Sequence, residues 1–93
     1  MLNNRRGKLE IFFDILNAIS HESLENGVAR PTRVHNRSKL SYDKMQSNLN
    51  ELEKLHMISK SSLSITKKGR GFLADYNKIK DLQAKIERVY FTR

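Results

Sequence analysis

The sequence predicts a mainly α chain with a small β-hairpin and a long C-terminal helix. Three observations carry that prediction. Apolar residues recur at spacings of three and four in segments near the start, middle and end; residues 58–65 alone switch to alternation; and an apolar stripe runs unbroken from Phe72 to Tyr90. With 93 residues the chain is most economically one compact domain with an extension. Residues 1–66 form the compact part and 67–93 the C-terminal helix.

From Lys8 to Leu24, Leu9, Phe12, Phe13, Leu16 and Ile19 make one helical face. Asn26-Gly27 ends it, and Pro31, suited to a first helical turn, opens a short cationic helix to about Ser38 with Val34 inward. Ser41 caps a third helix, Asp43 lies near its positive dipole end, and Met45, Leu49 and Leu52 form its buried stripe, with Tyr42 and His56 near the same side. Ile58, Lys60, Leu63 and Ile65 alternate about a Ser61-Ser62 turn, which reads as a tight hairpin. Thr66 then caps a last helix to about Tyr90, and ~24 residues at ~1.5 Å each are longer than a domain of this size needs. Its distal half requires something else to pack against.

The formal net charge is +8 and the isoelectric point near 10.1, which favours a polyanionic partner, nucleic acid first and an anionic membrane surface second. Arg5, Arg6 and Lys8 are balanced by Glu10, Asp14, Glu22 and Glu25, so the excess comes from later in the chain. The sequence has no cysteine, which removes disulfides, thiolate metal sites and cysteine nucleophiles and fits a reducing cytosol. His21, His35 and His56 lack metal-ligand spacing, no apolar run approaches the ~20 residues of a membrane span, and the N-terminus does not read as a signal peptide. A cytoplasmic, nucleoid-associated protein is expected.

Helix, short helix, turn, polar-faced helix and two-stranded hairpin is the order of a winged helix-turn-helix, whose third helix enters the major groove of DNA. Particular residues add to the pattern. "TRV" at 32–34, "LSY" at 40–42, "L...HMI" at 52–58 and "ITKKGRGFLADYNKI" at 65–79 resemble successive signatures of the archaeal winged-helix regulators. These include small basic chromatin-associated proteins that dimerise through an antiparallel C-terminal coiled coil. The resemblance covers roughly residues 8–90 and is most specific at Thr66, Lys68, Gly69, Phe72, Tyr76 and Ile79. Three positions depart from it. His56 stands where glycine usually ends helix 3 in the left-handed conformation, Gly71 replaces a helix-favouring residue, and the hairpin turn is short.

Within that frame Tyr42, Lys44, Gln46, Ser47 and Asn50 are the candidates for base or groove contacts, being types that hydrogen-bond base edges or phosphates. Arg30, Arg33, Arg37, Lys39, Lys60, Lys67, Lys68 and Arg70 are the candidates for phosphate contacts. "GRG" at 69–71 is no P-loop, since it lacks the full glycine-rich series, and Gly69 instead permits close packing. Carboxylates are scattered and no nucleophile-base arrangement is visible, so no enzymatic activity, metal, cofactor or small-molecule ligand is expected. The alternative is a winged-helix protein-interaction module whose helix 3 meets an acidic partner.

The last helix is expected to form a homodimer through Phe72, Tyr76, Ile79, Leu82, Gln83, Ile86, Val89 and Tyr90. Two registers fit the pattern. One puts Phe72, Ile79 and Ile86 at d and Tyr76, Gln83 and Tyr90 at a, with Lys80 facing the partner's Glu87 in an antiparallel pair. The other puts Ile79 and Ile86 at a and Leu82 and Val89 at d, but leaves Lys78 and Lys85 at g. The family resemblance implies the antiparallel form.

Overall fold

A computed structural model describes residues 6–92. Residues 1–5 and 93 lie outside the described residues. The element order is α1 (Lys8–Asn26), α2 (Pro31–Ser38), α3 (Tyr42–Lys54), β1 (Ile58–Ser59), β2 (Ser64–Ile65) and α4 (Lys67–Tyr90). The fold is mainly helical with one antiparallel hairpin, in which Ile58 pairs with Ile65 and Ser59 with Ser64.

Helix α1 is the centre of the core. Phe12, Phe13, Ile15, Leu16, Ala18 and Ile19 are all buried, and all but Phe13 cluster with Val34 of α2, Met45, Leu49 and Leu52 of α3, and Ile58 and Leu63 of the hairpin. The buried arc is wider than the expected stripe because α1 packs against α2, α3, β2 and α4. Ile15 therefore joins the core. Leu9, expected inward, is 55% exposed at the first turn, before the other elements converge on the helix.

The helix ends follow local chemistry. Gly27 (φ 81°) closes α1 through a bond from its N–H to Ser23 O, and Lys39 (φ 57°) closes α2. The Ser41 hydroxyl accepts the N–H of Lys44 and the Thr66 hydroxyl that of Gly69, as expected of caps. At the end of α3, His56 takes φ 63°. Its N–H reaches Glu53 O at 2.9 Å and the Met57 N–H reaches Leu52 O at 2.9 Å, the paired bonds of a Schellman ending. Histidine thus occupies the glycine position in the left-handed conformation.

The hairpin turn spans Lys60 to Leu63, with Ser61 and Ser62 central and the Leu63 N–H bonded to Lys60 O at 3.2 Å. Leu63 (φ 47°) swings its side chain back into the core. The strands are only two residues each. Lys60 therefore belongs to the turn.

Helix α4 starts hard against the hairpin. A Cβ on Gly69 would stand 2.3 Å from Met57 O and 2.7 Å from Ile65 Cγ2, so the close approach requires glycine. Further on, Phe72 meets Phe12 edge-on at 6.4 Å and Tyr76 stacks on Phe13 at 4.8 Å. These two rings, expected in a dimer seam, are half-buried against their own α1. Beyond Tyr76 every described residue of the helix is exposed.

Candidate nucleic-acid interface

The turn between α2 and α3 is fixed by short-range bonds. Ser38 is buried; its hydroxyl donates to His35 O at 3.0 Å and accepts the Leu40 N–H at 3.4 Å. His35 Nε2 bonds Leu40 O at 2.8 Å, and its ring meets Tyr42 edge-on at 5.9 Å. With Leu40 buried behind the turn, α3 is held to α2 at a set angle. Arg6 adds a long-range clamp, donating to Ser38 O, Lys39 O and Asp14 Oδ2 at the negative end of α2.

Burying Met45, Leu49 and Leu52 turns Asp43, Ser47, Asn50 and Lys54 outward. Ser47, Asn50 and Lys54 line a shallow depression together with Glu51, whose carboxylate takes Lys8 Nζ at 2.8 Å. Lys44 is exposed. Gln46 is half-buried and faces a groove of about 180 Å³ bounded by Ala29, Pro31 and the hairpin turn. Tyr42 is 59% exposed, its ring set against His35 instead of the core side expected of it. Of the five candidate readers, Ser47 and Asn50 share the outer face, while the other three occupy its margins.

The cations divide by use. Arg30, Arg33, Lys67 and Arg70 are exposed; only Arg33 comes near a carboxylate, 4.0 Å from Glu22 among the described residues. Arg37, expected on a phosphate, is engaged elsewhere: its Nε donates to Glu22 Oε2 at 2.5 Å and its Nη2 to Glu25 Oε1 at 2.6 Å. Glu22 is almost wholly buried, and Asn26 donates to its other oxygen at 3.0 Å. The Arg37 hydrogen bond holds the Glu22 carboxyl below its ordinary pKa against the opposing effect of burial, with help from Asn26 and from the charges of Arg37 and Arg33. Glu22 in turn raises the pKa of Arg37. This pair ties α2 to α1.

Lys39 is exposed and lines, with Arg6, Asp14, His21 and Arg37, an open cavity between α1 and the end of α2. It stands apart from the outer face of α3. Lys68 Nζ donates to Leu55 O at 2.8 Å, completing the last turn of α3. Lys60 Nζ donates to Asn50 Oδ1, and the Lys60 backbone N–H donates to Glu53 Oε2 at 3.1 Å. Two expected phosphate ligands, Lys60 and Lys68, thus hold the hairpin and α4 against α3. Neither role had a local signal, because the partners lie 10 and 13 residues away.

A family model for the winged helix-turn-helix matches residues 5–84. The chain belongs to the winged helix-turn-helix family. Comparison with curated proteins and with solved structures finds no match. Among the described residues no group of acidic or histidine side chains is arranged to hold a metal ion, and no helix is long and apolar enough to cross a membrane.

Proposed function

We propose that this winged helix-turn-helix chain binds duplex DNA as a homodimer, with α3 in the major groove, acting as a transcriptional regulator or a chromatin-architectural protein. The observation that carries the proposal is the outer face of α3, where Ser47 and Asn50 are exposed and share a shallow depression with Lys54. Arg30 at the N-cap of α2, Arg33 within it, and Lys67 and Arg70 from α4 are the phosphate contacts proposed, and Lys44 and Lys54 add charge along α3. Residues 1–66 supply the reading unit and residues 67–93 the pairing helix.

The dimer reading rests on α4. Ile79, Leu82, Ile86 and Val89 are 55, 57, 42 and 52% exposed and lie along one side of the helix. Phe72 and Tyr76 are taken up within the chain, so Ile79 to Tyr90 form the proposed seam, with Gln83 at its margin. The family resemblance supports antiparallel pairing.

Anisotropy titrations of labelled duplex at several salt concentrations test the proposal. Log K should fall linearly with log salt, each phosphate contact adding about −0.9 to the slope. Arg33→Ala should flatten the slope by about one contact. Arg37→Ala should leave the slope alone and lower thermal stability. If duplex DNA does not bind, or binds without salt dependence, the DNA reading fails and an acidic protein partner becomes the better account.

A further inference from the structure

We infer that Glu51 is a further specificity-determining residue of the α3 face, an acceptor-only reader that selects cytosine at the base it meets, with Lys8 as its positioning residue. The inference rests on the DNA reading proposed above. Glu51 lines the same shallow depression as Ser47, Asn50 and Lys54, so its carboxylate stands among the side chains that α3 turns toward the groove. It is the acidic member of that set.

A bare carboxylate on a surface that meets a polyanion repels it. Lys8 offsets that charge. Its Nζ donates to both Glu51 oxygens at 2.8 Å, and the same ammonium lies 5.7 Å from the centroid of the buried Phe12 ring. The first residue of α1 is thereby held between the core and the tenth residue of α3, and it restrains where the carboxylate points. Acceptor capacity remains. An ionised carboxylate offers about four lone-pair sites, and Lys8 takes one on each oxygen, which leaves each oxygen able to accept from a base.

The selection follows from the chemistry of the major groove. Cytosine presents the N4–H2 donor there and no acceptor, which suits a carboxylate. Guanine O6 and N7 and thymine O4 are acceptors and face it with like partial charge. Adenine lies between, because N6–H2 donates while the neighbouring N7 lone pair repels. Lys54, in the same depression, carries only donors, which suit O6 and N7 of the guanine paired with that cytosine.

Selection from a randomised duplex library, followed by titration of single-base variants, tests the inference. Glu51→Ala first locates the position, as the base pair whose preference disappears. There the parent protein should favour cytosine over guanine and thymine by roughly tenfold. Glu51→Gln keeps the shape but adds an amide donor for adenine N7 while its oxygen accepts from N6–H2, so the preference should move to adenine. A parent that prefers any base other than cytosine there, or that shows no preference for Glu51→Ala to remove, overturns the inference. So does a Glu51→Gln protein that ranks the four bases as the parent does. Lys8→Met should weaken binding and narrow the cytosine preference in the parent, and weaken binding much less in Glu51→Gln, where no carboxylate is left to offset. Equal losses in the two backgrounds would make Lys8 a phosphate contact in its own right and overturn its positioning role. Absence of the Glu51 preference leaves salt-dependent duplex binding intact, so this failure is distinguishable from failure of the DNA reading itself.

Discussion

Gly69 and Gly71 lie two residues apart in the same helix, yet alanine should act in opposite directions at the two. At Gly69 the new Cβ would meet Met57 O at 2.3 Å. A comfortable contact is about 3.5 Å, so roughly 1 Å of movement is required. The carbonyl cannot simply withdraw, because it accepts the Thr66 N–H at 3.0 Å, the bond that leads the chain into α4. Overpacking of this kind costs about 1–3 kcal/mol and weakening the bond about 1 more. The better helix propensity of alanine returns about 1 kcal/mol. The net is a loss of about 2 kcal/mol, or roughly 8–16 °C in melting temperature for a chain of this size. At Gly71 a Cβ meets nothing within 4 Å, so only the propensity gain remains, about 1 kcal/mol in favour of the variant. Urea unfolding followed by circular dichroism, at one protein concentration for all three chains, reads both values. A Gly69→Ala protein as stable as the parent would refute the close-packing argument.

Three further outcomes are expected. His56→Gly should stabilise by about 0.5–1 kcal/mol, since removing the left-handed strain outweighs the greater freedom of glycine in the unfolded chain, and a lower melting temperature would contradict this. Because the Glu22 pKa is lowered on folding, its contribution is fully present above the unfolded carboxyl pKa and is lost as pH falls through the folded value. Melting temperatures followed from neutral pH into the acid range should therefore fall less steeply in Glu22→Gln than in the parent, and parallel profiles would remove Glu22 from the acid response. Ile86→Asp should put charge into the proposed seam and yield a monomer by sedimentation with weakened DNA binding; a variant that stays dimeric would move the seam elsewhere.

Local chemistry in the sequence was enough to place most element ends. Pro31, Ser41 and Thr66 act where their side chains and backbone suit a helix start; the left-handed position that His56 takes was implied by the family resemblance and not by local chemistry. Periodicity was less informative about which side faces in. It assigns a face but not the width of the buried arc, so Leu9 was expected inside, while Ile15 and Glu22 became buried only because other elements close over α1. The uses of the cations were the least legible part. Arg30, Arg37, Lys60 and Lys68 look alike in a basic sequence; whether one meets solvent, a carboxylate, an amide or a helix end depends on contacts across 10 to 15 residues.

The junction between α3 and α4 has a mechanical consequence. The Thr66 hydroxyl donates to His56 O, its N–H bonds Met57 O, Lys68 holds Leu55 O, and the rings of Phe72 and Tyr76 lie against α1. Among the described residues these bonds tie α3 to the first turns of α4, so α3 and the shaft of α4 turn as one piece. In the proposed dimer, angular phase is then set by counting residues along the shaft. One residue inserted beyond Tyr76 would rotate the seam by about 100° and advance it by about 1.5 Å, pointing the two heads along different lines. Seven residues would nearly restore the phase and lengthen the reach by about 10 Å, making shaft length a ruler for the spacing between two grooves.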